Sequence, residues 1–91
     1  VNIGEEVQKF GANPKDLKSL YNYALSKDLN ILGLMCIPPN DNNPKYYFDL
    51  MKTLRDQINP NLKLSMGMSA DYEVALNCGS NFIRVGSKIF I

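Results

Sequence analysis

The residues Leu64-Ser65-Met66-Gly67-Met68-Ser69-Ala70-Asp71 decide the fold class of this chain. An apolar run of strand length passes into a turn of small residues, and a short helical segment follows. The pattern predicts a strand over Leu64–Met68 and a helix over Ala70–Asn77, with Ser69 as its N-cap and Gly79 after its end. A strand that leads directly into a helix is the building unit of an α/β fold.

Two longer helices are predicted before this unit. Asn13-Pro14 and Asn43-Pro44 each place an N-cap residue before a proline at the first helical position. Apolar residues recur at helical spacing after both pairs, and Asn59-Pro60-Asn61 ends the second pattern. The residues predicted to face inward are Leu17, Leu20, Tyr21, Ala24 and Leu25 in the first helix and Tyr47, Leu50, Met51, Leu54 and Ile58 in the second.

Short apolar runs of strand length separate these helices. Ile31–Ile37 and Phe82–Val85 are predicted strands, and Val1–Gly4 is interpreted as the tail of another. The order β-α-β-α-β-α-β predicts a parallel sheet whose strands are adjacent in chain order. Two architectures fit this order: a small open sheet with helices on both faces, or half of a (β/α)8 TIM barrel, which needs about 250 residues. Periodicity alone does not separate them.

The composition excludes several classes of function. Ten basic and nine acidic residues give a net charge of +1, which argues against nucleic acid or an anionic membrane as a partner. No apolar run approaches the roughly 20 residues that span a bilayer, and no signal peptide is visible, so a cytoplasmic protein is expected. Histidine is absent, which excludes Ser-His-Asp and Cys-His catalysis and His-containing zinc sites. No metal ligands and no catalytic residues are assigned.

The two cysteines, Cys36 and Cys78, match no Cys-x-x-Cys pattern. One disulfide between them is formally possible. The cytosolic redox poise favours two reduced, buried thiols instead.

The residues Arg84-Val85-Gly86-Ser87 follow the last predicted strand. Arg84 lies in an otherwise apolar strand, where an unpaired charge is costly, so the sequence predicts an anionic partner. The alternative partner is a structural ion pair with Asp71 or Glu73. Barrels of the (β/α)8 type bind phosphate at the loops after their last two strands. We therefore predict a phosphate site that joins these residues to Ser69.

Two motifs at these loops resemble the C-terminal signature of the pyridoxal phosphate homeostasis proteins, also called proline synthetase co-transcribed homologues. They read L-S-M-G-M-S-x-D-Y-E-x-A-x-x-x-G from Leu64 and F-I-R-V-G-S-x-I-F from Phe82. Val1–Glu6, with Lys9 and Gly11, resembles the strand-five loop of that family, and Leu32–Pro39 resembles its sixth strand. The resemblance implies the barrel fold of the alanine racemase N-terminal domain. Residues 1–91 then form its C-terminal half, strands five to eight.

The resemblance also implies a function. Members of the family bind pyridoxal 5′-phosphate (PLP), are regarded as lacking turnover, and are thought to buffer the cofactor and deliver it to PLP-requiring apo-enzymes. Their Schiff-base lysine lies at the end of strand one, and none of the ten basic residues here falls on that position, so covalent binding by this chain is not expected. The implied cofactor-binding residues are Ser69, Arg84, Gly86 and Ser87 for the phosphate, Met66 and Met68 beside the ring, and Glu6 and Lys9 near the mouth.

Two other classes of function stay open. One is a racemase-type PLP enzyme, which needs a second base that another domain commonly supplies. The other is a barrel enzyme for a different phosphorylated small molecule. The chain ends in Ile89-Phe90-Ile91 where the family usually has Gly, which indicates a truncated chain. Half a barrel exposes sheet edges and barrel-facing apolar side chains, so self-association is also expected.

Overall fold

The structure is a computed structural model that describes residues 1–86 of the 91. Helices and strands alternate along the chain, as predicted. None of the helices in this described part has the length and apolar character needed to cross a membrane. The elements are a 3₁₀ turn (Pro14–Asp16) that leads into α1 (Leu17–Ser26), then β1 (Gly33–Met35), α2 (Pro44–Ile58), β2 (Lys63–Met68), α3 (Tyr72–Asn77) and β3 (Phe82–Arg84).

The three strands form one parallel sheet in the order β1-β2-β3. This order confirms the predicted adjacency of strands along the chain. Leu34 pairs with Leu64 between β1 and β2, and Ser65 pairs with Phe82 between β2 and β3. The next pair along β2 and β3 is Met68 with Arg84, so β2 advances by three residues while β3 advances by two. The extra residue is accommodated by a bulge.

Gly67 permits this bulge. Its φ of +106° lies in the left-handed region that glycine adopts without strain. A side chain at this position would meet the Ala75 Cβ at 2.7 Å, so the backbone of β2 also approaches α3 closely. The bulge sets the register at which β3 leaves the sheet, and it therefore determines which part of β2 lies beside Arg84.

The core lies on one face of the sheet. Alternate strand residues point to the same face, and Leu34, Leu64 and Met66 pack there in one buried cluster. All three helices contribute to that cluster, with Phe48 and Met51 of α2 fully buried. Leu17 of α1 and Ala75 of α3 complete the helical side.

The opposite face of the sheet is open. Met35 is 44% exposed and Phe82 is 59% exposed, although both lie in strands. The predicted exposure of barrel-facing side chains is confirmed at these positions. Helices on one face and an open second face are the arrangement of a barrel segment, whereas a doubly wound sheet carries helices on both faces.

The segment Val1–Gly4 is not a strand, which corrects the four-strand βαβαβαβ expectation. Its backbone turns immediately, because Glu5 N donates to Asn2 O at 3.1 Å. One hydrogen bond, from the Val1 amino group to Met35 O at 2.7 Å, joins it to β1. A single bond makes no ladder, so residues 1–86 hold three strands.

The start of α3 also differs from the prediction. Asp71, not Ser69, is the N-cap, and the helix begins at Tyr72. Residues 68–71 form a tight turn in which Asp71 N donates to Met68 O at 3.1 Å and Met68 N donates to Asp71 Oδ1 at 2.8 Å. Because of this turn, α3 begins at Tyr72 and not at the predicted Ala70. Gly79 follows its end with a φ of +97°, as predicted.

The apolar face of α1 is only partly covered. Leu17 is buried, but Leu20 and Leu25 are about half exposed, which corrects their assignment as inward-facing residues. Tyr21 anchors the helix to the end of α2, since its hydroxyl accepts a hydrogen bond from Asn59 Nδ2 at 3.2 Å. Leu20 lines an open apolar pocket together with Leu17 and residues 33–35 of β1.

We predict that the one-sided core carries most of the stability. Replacing the fully buried Phe48 by alanine should lower the free energy of unfolding by about 3–5 kcal/mol, because it removes apolar contacts and leaves a cavity. Phe10 is 99% exposed, so Phe10→Ala is the matched control. It should change the free energy of unfolding by less than about 0.5 kcal/mol. Urea denaturation measures both. Equal losses at the two positions would contradict the assignment of the core.

Candidate functional site

The carboxyl ends of the three strands open into one cleft of about 690 Å³. Three loops form its walls: residues 37–44 after β1, residues 67–71 after β2 and residues 84–86 after β3. Parallel strands bring their carboxyl ends to the same edge of a sheet, which is where α/β proteins bind small molecules. Four of the predicted site residues line this cleft together: Met68, Ser69, Arg84 and Gly86.

The side chain of Arg84 crosses the whole sheet. Arg84 lies on β3, and its Nη1 donates to Ser65 Oγ on β2 at 2.9 Å. Its Nη2 donates to the carbonyl oxygen of Cys36, just past the end of β1, at 3.3 Å. A guanidinium has five N–H donors, and these two contacts use two of them. Donors therefore remain available at the edge of the sheet that faces the cleft.

The guanidinium of Arg84 has no carboxylate partner among residues 1–86. The ion pairs of this part of the chain join Glu6 to Lys9, Lys45 to Asp49 and Arg55 to Asp56. The alternative that Arg84 pairs with Asp71 or Glu73 is therefore wrong. Asp71 Oδ1 instead accepts the backbone N–H of Met68 and holds the turn that carries Ser69. A half-buried cation with neutral partners is an arrangement that favours an anionic ligand.

Gly86 leaves open space beside Arg84. A methyl group at Gly86 would meet no heavy atom within 4 Å among the residues that the structure describes. Gly86 therefore allows a ligand to approach the backbone closely after β3. Ser87, the next residue of the predicted phosphate loop, lies outside the described residues.

Lys9 and Glu6 lie beside the cleft but do not line it. The ammonium group of Lys9 donates to Ile37 O at 3.0 Å and to Pro38 O at 3.3 Å, and it lies 2.7 Å from Glu6 Oε2. Two of the three donors of the ammonium are thus used in hydrogen bonds to carbonyl oxygens, and Glu6 forms an ion pair with the same group. Lys9 thus fixes the loop that carries Glu6 to the wall of the cleft.

The two methionines predicted beside the cofactor ring are separated. Met68 is 43% exposed and lines the cleft. Met66 is fully buried in the core on the helical face of the sheet, so it faces away from the cleft. The bulge at Gly67 changes the alternation between these two residues, and a strict period of two would have placed them on the same face.

Sequence reasoning missed Ser65. Its hydroxyl is the polar group on β2 that receives Arg84, and it pairs in register with Met35 and Phe82 on the neighbouring strands. The signal was present, because Ser65 is the one hydroxyl-bearing residue in the run from Leu64 to Met68. A lone hydroxyl in an apolar strand, next to a lone arginine in the following strand, predicts a contact between them.

Burial raises the pKa of the Cys36 thiol from its ordinary value near 9 to about 11. Arg84 and Lys9 lie near enough to lower this pKa in part, and Asp71 raises it. Cys36 and Cys78 are both free and buried, as predicted, so neither forms a disulfide in this structure. Within the described residues no group of three or more acidic or cysteine side chains is placed to hold a metal ion.

The fold and the cleft define a class of protein: a parallel β/α unit of the TIM-barrel type with a cleft at the carboxyl ends of its strands. No family model matches the chain. It is, however, 40% identical over 99% of its length to the pyridoxal phosphate homeostasis protein of Aquifex aeolicus and 37% identical over the same share to that of Schizosaccharomyces pombe. The resemblance to this family is therefore confirmed. The chain spans 43% and 42% of the length of these relatives.

Solved structures agree with this fold. The chain matches the crystal structure of an unknown protein from Bifidobacterium adolescentis with a TM-score of 0.87 at 27% identity, covering 99% of this chain and 40% of that one. It matches PipY of Synechococcus elongatus PCC7942, solved with PLP bound, with a TM-score of 0.73 at 32% identity, covering 96% of this chain and 46% of that one. These matches and the parallel sheet with alternating helices confirm the predicted α/β fold class.

We predict that ionisation of Cys36 lowers stability at high pH. The folded-state pKa is raised, so the folded state holds the proton more tightly than the unfolded state, and stability present below pH 9 is lost as the pH rises toward 11. The difference of about 2 in pKa corresponds to roughly 3 kcal/mol. Urea denaturation between pH 7 and 11 should show this fall in the parent chain relative to Cys36→Ala. A pH-independent difference between the two would contradict it.

Proposed function

We propose that this chain binds PLP in the cleft and acts in PLP homeostasis, holding and releasing the cofactor without turnover. The observation that carries the proposal is the Arg84 guanidinium, which lies at the cleft with neutral partners and without a carboxylate among residues 1–86. The names of the relatives and the PLP bound to PipY support the choice of this cofactor.

The residues of the cleft fit PLP. The cofactor carries an anionic phosphate, and arginine with small-residue loops is a donor set suited to phosphate. We propose that Ser69, Arg84, Gly86 and Ser87 hold the phosphate and that Met68 lies against the ring. Bound PLP supplies an aldehyde and an electron-withdrawing ring, which are the source of PLP chemistry.

The absence of turnover is supported by what lines the cleft. Of the described residues there, only Asp71 and Arg84 are ionisable, and Asp71 is engaged with the Met68 backbone. Proton transfer near neutral pH is usually carried out by histidine or by a carboxyl or lysine with an adjusted pKa. The chain has no histidine, and the ammonium of Lys9 is held outside the cleft lining by two carbonyl oxygens and an ion pair with Glu6.

We also propose that residues 1–91 are the C-terminal half of a PLP-binding barrel domain. The chain spans close to two fifths of the length of its relatives, which supports its assignment as about half of the domain. The open face of the sheet supports the same assignment, because a closed barrel covers that face with its own remaining strands. We propose that the cofactor held in the cleft is delivered to PLP-requiring apo-enzymes.

The first test of the proposal is replacement of Arg84. Arg84→Ala should weaken PLP binding by about 10-fold to 150-fold, the range expected for loss of a charge-assisted hydrogen bond of about 1.5–3 kcal/mol. Arg84→Lys keeps the charge but loses the fork of donors, so its affinity for PLP should lie between that of the parent chain and that of Arg84→Ala. Fluorescence titration measures the affinities, and thermal melts establish that each variant is folded. Unchanged affinity in a folded Arg84→Ala variant would contradict the proposal.

The second test uses the open space at Gly86. Gly86→Ala should leave the melting temperature unchanged, because the added methyl group meets no described protein atom. The same methyl group occupies space proposed for the phosphate, so PLP affinity should fall about tenfold, the usual scale of one misplaced methyl group. Pyridoxal lacks the phosphate and is the matched ligand, whose affinity should change much less. Equal losses for PLP and pyridoxal would place the phosphate elsewhere.

The third test concerns covalent attachment. We expect borohydride reduction of the chain with PLP to label no lysine stoichiometrically, because no lysine lines the described part of the cleft. Peptide mass analysis after digestion locates any label. The control is a PLP enzyme of known lysine linkage treated in parallel. A single, complete phosphopyridoxyl label on Lys9 would show that its hydrogen bonds to Ile37 and Pro38 are broken in the bound state.

A further inference from the structure

The hydroxyl of Ser65 lies in unusual surroundings. Ser65 is in the middle of the central strand, and its neighbours in register are the exposed apolar residues Met35 on β1 and Phe82 on β3. Apolar side chains would cover such a sheet face without cost. A hydroxyl at its centre is therefore unexplained by packing, and the one hydrogen bond that the structure gives it comes from Arg84 Nη1 at 2.9 Å.

The position of Arg84 depends on this contact. From β3 its side chain extends over β2 to the carbonyl oxygen of Cys36 beyond β1, a contact of 3.3 Å. The Ser65 contact is shorter and comes midway along this path. An unanchored arginine side chain samples many rotamers, and a ligand that binds it must restrict them. The hydrogen bond to Ser65 restricts the rotamers of Arg84 before a ligand binds.

We propose that Ser65 is a positioning residue, which holds the Arg84 guanidinium across the strand ends so that its remaining donors face the ligand. This inference rests on the proposed function, because it assigns Ser65 a role in the same site. Ser65 acts through Arg84 and needs no contact with the cofactor. Its hydroxyl is the acceptor that the apolar strand otherwise lacks, and cysteine of nearly the same size accepts hydrogen bonds only weakly.

A double-mutant cycle tests this role. Ser65→Ala should weaken PLP binding about tenfold in the parent protein, as loss of a hydrogen bond to a charged group implies. In the Arg84→Ala background the same change should alter affinity less than twofold, because the side chain that Ser65 holds is gone. A purely structural role would lower affinity equally in both backgrounds. Equal losses therefore overturn the inference.

Two conservative variants keep the test decisive if Ser65→Ala folds poorly. Ser65→Thr keeps the hydroxyl and favours a strand, so it should bind PLP within about threefold of the parent. Ser65→Cys keeps the volume with a weak acceptor, so it should lose about as much as Ser65→Ala. Parent-like binding by Ser65→Cys, or a loss in Ser65→Thr equal to that in Ser65→Ala, overturns the inference.

The same measurements separate this inference from the proposed function. If Arg84→Ala weakens PLP binding and Ser65→Ala does not, the proposed function stands and Ser65 has no positioning role. If Arg84→Ala binds PLP as tightly as the parent, the proposed function itself fails, and the role of Ser65 fails with it.

Discussion

The placement of one charged side chain over an otherwise apolar sheet face is the constraint on which the site depends. Arg84 contacts the hydroxyl of the central strand and a carbonyl oxygen past the first strand. These contacts link all three strands through one guanidinium. A half-buried cation without an anion costs free energy, and a bound phosphate offsets that cost. The loops that carry Ser69 and Gly86 then have a fixed charge beside them.

The geometry of that placement comes from the backbone. The bulge at Gly67 shifts the register between β2 and β3, so Arg84 pairs with Met68 where an unbroken ladder would pair it with Gly67. The turn closed by Asp71 then carries Ser69 into the cleft rather than into the helix. Two departures from regular structure thus place Met68, Ser69 and Arg84 at one edge of the cleft, while the helices and the buried core remain regular.

The sequence predicted the parallel sheet, the order of its strands and both long helices, because these follow from periodicity and from Asn-Pro signals at helix starts. It also placed Met68, Ser69, Arg84 and Gly86 near one another, since each lies at or just past the carboxyl end of a strand of the same sheet. It did not predict the bulge at Gly67, the burial of Met66 or the contact between Ser65 and Arg84. These depend on register between strands, and a glycine in a strand does not by itself reveal which way the register shifts.

The central claim is that the cleft at the strand ends is a PLP site organised around Arg84. A crystal structure of the protein grown with PLP tests it most directly. We expect cofactor density in this cleft, with the phosphate in contact with the loops of Ser69 and Gly86 and with Arg84 still bonded to Ser65. A cofactor bound outside this cleft, or an Arg84 side chain turned away from the ligand into solvent, would show that Arg84 does not organise a PLP site here.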